Sequence, residues 1–179
     1  KYEEAIQSYQ EVLRLRGEDL DTLLHLGVDQ IRIGKPQRAV ETLERASQLD
    51  PEAEAPYCHR IAAYTQLEDH SSAEVMFYMA RDFSDECPLC YDHIAHSLAM
   101  RAQMDRAAWC WQRPAALDPQ FPAVQVNLAR VHWYSGQLQR ARQYYLEQLR
   151  LDPGDVETLL ELGNLLVAMQ RPGAASEKF

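Results

Sequence analysis

The amino-acid sequence lacks the signatures of several large protein classes. No apolar run approaches the roughly 18 residues that a membrane-spanning helix needs, so we expect no membrane span. The sequence also has no Gly-rich phosphate-binding loop, no G-x-S-x-G motif and no H-E-x-x-H motif. We therefore expect no enzymatic activity from this chain, no catalytic residues and no bound cofactor.

Basic side chains are scarce relative to acidic ones. The chain has 18 Lys and Arg residues against 27 Asp and Glu residues, which gives a formal net charge of −9. A general nucleic-acid-binding surface needs a basic stripe that neutralises phosphates. The charge balance therefore argues against nucleic acid as a partner.

Cysteine is also uncommon, with four residues in the chain: Cys58, Cys87, Cys90 and Cys110. Because 46% of the residues are hydrophobic, the chain can build an ordinary core, and its cysteines do not have the pattern of a disulfide scaffold. Reduced thiols favour a cytoplasmic location. No signal peptide is visible. The sequence begins at Lys1 in the middle of a repeat, so we expect that the natural N-terminal part is missing.

What the sequence does contain is a repeat of 34 residues without insertions or deletions. Alanine recurs at this period, and a large hydrophobic residue follows each alanine four positions later. The alanines are Ala5, Ala39, Ala73, Ala107, Ala141 and Ala175, and the large residues are Tyr9, Leu43, Phe77, Trp111, Tyr145 and Phe179. Apolar residues recur at three- and four-residue steps within each unit, which predicts two amphipathic helices per unit.

The repeat predicts a single array over residues 1–179. Residues 1–19 are the second helix of a truncated unit, complete units cover 20–53, 54–87, 88–121 and 122–155, and residues 156–179 are a partial unit. Incomplete terminal units leave end faces uncovered, so self-association through these faces is a further expectation.

Two residues break the pattern of their units. Arg60 stands where other units have leucine or isoleucine, so we expect its charged head to reach water or to meet an acidic partner. Pro114 lies inside a second helix, where proline removes a hydrogen bond and clashes with the carbonyl four residues back, at a cost of roughly 3 kcal/mol. We expect a kink at Pro114, or an early end of that helix near Cys110.

The repeat resembles the tetratricopeptide repeat, a helix–turn–helix unit of 34 residues. The family's Leu-Gly pair appears here as Leu26-Gly27 and Leu162-Gly163. Its closing proline appears as Pro51, Pro119 and Pro153. The resemblance implies an all-α fold, a right-handed superhelical α-solenoid of antiparallel helix pairs whose first helices line a concave groove. It also implies a protein-interaction scaffold that binds a peptide or helical segment of a partner protein in that groove.

In this family, set positions of each unit face the concave groove. Carried over to this sequence, they are the expected partner-binding residues: His25, Cys58, His59, Asp92, His93, His96, Asn127, Arg130, Trp133, Tyr134, Glu161 and Asn164. Among these, Trp133 and Tyr134 are the expected apolar anchors.

Three of the candidates, His25, His59 and His93, stand 34 residues apart. The resemblance implies that they form a ladder along the groove, with neighbouring helices about 8–10 Å apart. If the ladder contacts a partner, protonation of the three side chains below roughly pH 6.5 should change the affinity. The alternative is a solvated inner face without a special role.

Two other functions stay open. The chain could be a regulatory or targeting domain of a larger enzyme or assembly machine. A weaker alternative is a metal- or thiol-sensing module in which Cys87, Cys90, His93 and His96 follow one another at three-residue steps. A helix turns about 300° in three residues, so these side chains drift around the helix and could not easily reach one zinc ion. We therefore assign no metal ligands.

Overall fold

The chain folds into α-helices. This architecture is seen in a computed structural model, which describes residues 1–118, 121 and 123–170. Every regular element within those residues is an α-helix, so the predicted all-α fold is confirmed. The chain divides into two compact units, Lys1–Ser97 and Leu98–Phe179.

The first unit contains five helices and most of a sixth. They are α1 (Tyr2–Arg16), α2 (Leu20–Arg32), α3 (Pro36–Leu49), α4 (Glu54–Gln66), α5 (His70–Phe83) and α6 (Pro88–Met100), which ends beyond the unit boundary. Helices α1 to α4 each pack on the next one, and α2 also packs against α4. The first helices α2, α4 and α6 begin at 34-residue steps, as the repeat predicts.

The second unit contains four further helices. They are α7 (Met104–Leu117), α8 (Val124–Tyr134), α9 (Leu138–Leu151) and α10 (Val156–Met169). Each of them packs on the next. Pro119, Ala175 and Phe179, which the repeat pattern singles out, lie outside the described residues.

The helix ends follow from local sequence. Asp19, Asp69 and Asp155 each accept a hydrogen bond from the backbone N–H three residues later, at 2.9, 3.1 and 3.0 Å. These carboxylates satisfy N–H groups that have no partner inside the first turn of a helix. Pro36 is the first residue of α3, a position where its missing N–H removes no helical hydrogen bond.

The periodic alanines and hydrophobic residues form the core of each unit. Side chains of Ala39, Ala73, Ala107 and Ala141 are 0% exposed, and the large residues four positions later are at most 6% exposed. Gly27 shows why a small residue is needed in the facing helix. A Cβ atom added there would lie 2.7 Å from Cγ and Cδ2 of the buried Leu43, which is closer than van der Waals contact allows.

The turns between the two helices of a repeat share one backbone conformation. Gly34, Glu68, Ala102 and Gly136 have positive φ values of 69°, 57°, 56° and 72°. Glycine adopts this left-handed region without a steric penalty, whereas a residue with a Cβ atom is strained there. The turn geometry is therefore kept at all four positions, although only two of them carry glycine.

Two expectations at irregular positions need correction. Helix α7 continues through the fully buried Pro114 to Leu117, so the predicted early end near Cys110 is wrong. Arg60 is only 9% exposed and its Nε atom is buried, so its side chain is not extended into solvent. Its guanidinium lies over the ring of Tyr64, 5.8 Å from the centroid, so an aromatic ring takes the place of the expected acidic partner.

Candidate functional site

The predicted partner-binding residues are divided between the two compact units. His25, Cys58, His59, Asp92, His93 and His96 belong to the first unit, on helices α2, α4 and α6. Asn127, Arg130, Trp133, Tyr134, Glu161 and Asn164 belong to the second unit, on helices α8 and α10. All of them therefore lie on first helices of their repeats, as the family pattern implies.

The histidines of the first unit pair with different neighbours. The rings of His59 and His93 are 6.1 Å apart and tilted by 53°. The exposed His25 stacks instead on Tyr9 of α1, at 5.9 Å and 17°. His96 bonds locally, since its Nδ1 donates to the backbone oxygen of Asp92 at 2.8 Å.

Burial changes how these histidines titrate. Loss of hydration lowers the pKa of His59, and it lowers the pKa of His93 to about 3, where the neighbouring His59 and His96 act in the same direction. His93 therefore stays neutral at pH 5.5. The expectation that all three histidines gain a charge below roughly pH 6.5 is therefore wrong, because His93 does not.

A cluster of three cysteines lies where α4 meets α6. The Sγ atoms of Cys58, Cys87 and Cys90 are all within 4.8 Å of one another, and those of Cys58 and Cys87 are 3.9 Å apart. Cys58 lies one turn into α4, Cys87 directly precedes α6, and Cys90 lies in its first turn. The three thiols are free.

Glu54 completes this cluster from the start of α4. Its Oε1 accepts a hydrogen bond from the Cys90 thiol at 3.4 Å. Burial raises the pKa of the Glu54 carboxyl to about 7, and its hydrogen bond to Cys87 adds to the rise. Burial also raises the pKa of Cys58. Hydrogen bonds from Cys58 and Cys90 lower the pKa of Cys87, the one thiol in the cluster that is best placed to be a thiolate.

The sequence pattern did not indicate this grouping. Along the chain, Cys87 and Cys90 are followed at three-residue steps by His93 and His96, whereas Glu54 and Cys58 belong to the preceding first helix. The available signal was the period: residues 54–58 begin one first helix and residues 87–90 begin the next, so their N-terminal turns are neighbours in the array. Glu54 carried no signal as a single residue.

In the second unit, Arg130 and Glu161 bind each other. The Nε atom of Arg130 is 3.1 Å from both carboxylate oxygens of Glu161, and a second nitrogen of the guanidinium also donates to Oε1. Tyr145 donates to Oε2 at 2.7 Å, and Glu157 accepts from Arg130 at 2.8 Å. The two predicted groove residues therefore join α8 to α10 within the protein itself.

The remaining candidates differ widely in exposure. Cys58 and Asn127 are 2% and 7% exposed, which leaves them little surface for a partner. Trp133 is half-buried and packs edge-on against Tyr145, with ring centroids 6.4 Å apart. Tyr134, next to it, is 70% exposed, and Asn164 is also exposed.

Known protein families include sequences that are similar to two segments of this chain, and each segment contains one of the helical pairs. Two family models, both described as "Tetratricopeptide repeat", match the chain, one over residues 21–53 and the other over residues 122–165. These segments lie in different compact units and have the same helix–turn–helix organisation. The predicted resemblance to the tetratricopeptide repeat family is confirmed over these two segments.

Solved tetratricopeptide repeat proteins share the fold over nearly the whole chain. A thermophilic protein from Thermus thermophilus is 19% identical and superposes with a TM-score of 0.82, over 93% of this chain and 91% of that one. PilF of Pseudomonas aeruginosa is 17% identical, with a TM-score of 0.75 over 99% of this chain and 74% of that one. YrrB, described as having an unusual peptide-binding site, is 18% identical, with a TM-score of 0.66 over 97% of this chain and 89% of that one. The predicted fold class, an α-solenoid of antiparallel helix pairs, is confirmed.

One curated relative shares part of the array. The human Protein O-mannosyl-transferase TMTC2 is 33% identical over 84 residues, which are 47% of this chain and 10% of that protein. The chain therefore matches about a tenth of the length of that relative.

The tetratricopeptide repeat fold implies protein partners and is generally non-enzymatic. None of the helices within the described residues is both long and apolar enough to cross a membrane.

Proposed function

We propose that this chain is a protein-interaction scaffold without enzymatic activity of its own, which binds a peptide or helical segment of a partner through the faces of its first helices. The family supports the general role, because tetratricopeptide repeats serve protein–protein interaction. The observation that carries the specific proposal is the pair Trp133 and Tyr134 at the end of α8.

The two aromatic residues suit an anchor for an apolar side chain of a partner. Trp133 is fixed against Tyr145 and belongs to the packing around the core of the second unit. Tyr134 leaves 70% of its surface in water. An aromatic ring with few rotatable bonds, held at the end of a packed helix, buries a large area on binding at a small cost in conformational entropy.

A second apolar residue on a first helix supports the same kind of partner. Leu160 of α10 is 66% exposed and directly precedes Glu161, whose carboxylate is held by Arg130. Exposed leucine beside an immobilised ion pair offers apolar and polar recognition within one helical turn. We therefore expect ligands of this unit to contain aliphatic or aromatic side chains.

Selection from a random peptide library on the full chain tests the proposal. Peptides that bind should lose affinity for the Tyr134→Ala variant by at least about 30-fold, which corresponds to the roughly 2 kcal/mol of an interface hot spot. The matched control is Trp109→Ala on the second helix α7, where the side chain is 55% exposed; it should bind like the wild type.

Equal losses for both variants, or unchanged binding of Tyr134→Ala, contradict the assignment of α8 as the binding face. Light scattering at the same protein concentrations separates peptide capture from self-association of the array.

A second candidate function is that the array is a regulatory or targeting part of a larger enzyme or assembly machine. The match to a tenth of Protein O-mannosyl-transferase TMTC2 favours it. Sequencing the complete gene tests this candidate directly. A catalytic domain in the same reading frame supports it, and an open reading frame that encodes only repeats contradicts it.

A further inference from the structure

We propose that Cys58, Cys87, Cys90 and Glu54 form a binding site for one Zn²⁺ ion per chain. The four side chains come from two neighbouring first helices. Glu54 and Cys58 are one turn apart on α4, so they share a face. Cys87 and Cys90 flank the start of α6, with the C-x-x-C spacing that is common among zinc ligands.

The distances agree with tetrahedral coordination. With Zn–S bonds of about 2.3 Å, two sulfur ligands of a tetrahedral zinc ion are about 3.8 Å apart. The Sγ atoms of Cys58 and Cys87 are 3.9 Å apart, and all three Sγ atoms lie within 4.8 Å of one another. A zinc-bound carboxylate oxygen and a sulfur ligand should be about 3.6 Å apart; Glu54 Oε1 is 3.4 Å from the Cys90 sulfur. The three sulfur atoms thus lie close to the spacing of one tetrahedral centre, and Glu54, which contacts Cys90, is the neighbouring carboxylate that would turn toward this centre as the fourth ligand.

The chemistry of these ligands selects the metal. Three thiols are soft ligands, which favour zinc and disfavour magnesium and calcium, since those ions prefer oxygen. Three thiolates and one carboxylate carry the same formal charge as the four thiolates of a common structural zinc site. Binding releases the thiol protons to solvent, and no oxidant or reductant is involved.

A disulfide bond would explain less of this four-residue cluster than a metal ion does. It would join two sulfur atoms and leave the third thiol and the half-buried Glu54 carboxyl without a role. A metal ion uses all four groups. It also connects the first turn of α4 to the first turn of α6, and so couples two consecutive repeats in the same way that structural zinc sites hold small domains together.

Cobalt and zinc titration of the reduced full chain, produced without a histidine tag, tests the site. Adding Co²⁺ to chelator-treated protein should give one equivalent of a visible spectrum typical of tetrahedral cobalt, together with sulfur-to-cobalt charge-transfer absorption. One equivalent of Zn²⁺ should then displace it. An octahedral spectrum, or no saturable signal, overturns the proposal without the use of any variant.

Substitutions locate the ligands. Cys58→Ser and Cys87→Ser should weaken zinc binding by more than the roughly 10- to 100-fold that follows a change around a metal ligand, and Glu54→Gln should weaken it within that range. The control is Cys110→Ala, a buried cysteine of the second unit, which should bind zinc like the wild type. Far-UV circular dichroism checks that each variant is folded. Glu54→Gln keeps all three thiols and nearly the same shape, so unchanged zinc affinity in this variant would show that Glu54 is not a ligand. Unchanged zinc affinity in a folded Cys58→Ser or Cys87→Ser variant would overturn the proposed site.

Discussion

Arg130 of α8 holds the carboxylate of Glu161 of α10 through hydrogen bonds from two of its guanidinium nitrogens. Burial alone would raise the pKa of Glu161, but hydrogen bonds from Arg130 and Tyr145 and the charge of Arg130 lower it below its ordinary value. The pair is thus part of the second unit's own architecture, and its removal should be measurable in the stability of that unit.

Arg130→Ala should lower the free energy of unfolding of the second unit by about 1 kcal/mol. Charge-assisted hydrogen bonds contribute about 1.5–3 kcal/mol, but Arg130 is 39% exposed, so solvent screening reduces the effect. The three tryptophans of the chain, Trp109, Trp111 and Trp133, all lie in this unit, so their fluorescence during urea unfolding reports on it.

The matched control for that variant is Arg150→Ala. Arg150 pairs with Glu147 at 3.0 Å in the same unit, but it is 78% exposed, and such pairs contribute little. If both variants lose the same stability, the Arg130–Glu161 pair has no special structural role.

The Glu161 carboxylate should make the second unit sensitive to acid. Its pKa in the folded protein lies below the ordinary value of 4.5, so the unfolded chain takes up the proton first as the pH falls. The stabilisation is therefore present above about pH 4.5 and is lost as the pH falls through the folded-state pKa. Urea unfolding between pH 6 and pH 3 should show a steeper loss for the wild type than for Glu161→Gln. Parallel curves for the two proteins would contradict this expectation.

Gly27→Ala should destabilise the first unit by about 1–2 kcal/mol. The new methyl group would overlap Leu43 at 2.7 Å, and overpacking typically costs about 1–3 kcal/mol, which the better helix propensity of alanine offsets in part. Gly163→Ala is the control. Among the described residues, no atom outside the helix's own backbone lies within 4 Å of a Cβ atom added there, so it should be neutral or stabilising by up to about 1 kcal/mol. Circular dichroism during urea unfolding measures both, and a stabilised Gly27→Ala would show that Leu43 can move aside.

Ala102→Gly should stabilise the second unit by roughly 0.5–1 kcal/mol. Ala102 has a φ of 56°, and the left-handed region costs a residue with a Cβ atom about 1–2 kcal/mol. Part of that gain is lost to the greater flexibility of glycine in the unfolded chain. The reverse substitution, Gly136→Ala at the equivalent turn, should destabilise by a similar amount in tryptophan-detected unfolding. A loss of stability for Ala102→Gly would show that its φ is not a source of strain.

Much of the fold could be predicted from the sequence because it depends on local and periodic information. The spacing of apolar residues indicated the helices, and the alanine and hydrophobic positions indicated the core. The predictions at Arg60 and Pro114 were less accurate, because each depends on a neighbouring side chain or on how much distortion a helix tolerates. Tyr64 stacks under Arg60, and nothing in the repeat pattern assigns it that role.

The candidate sites were harder to predict, and the reason is the same. By itself the sequence determined the paired helices, their 34-residue period and the small residues that allow close packing, since these follow from helical geometry and burial. Only the tertiary structure decided that Cys58 and Glu54 meet Cys87 and Cys90, that His59 faces His93 while His25 faces Tyr9, and that Arg130 binds Glu161. Those relationships depend on side-chain directions across neighbouring helices, where a displacement of a few ångströms separates a bond from no interaction.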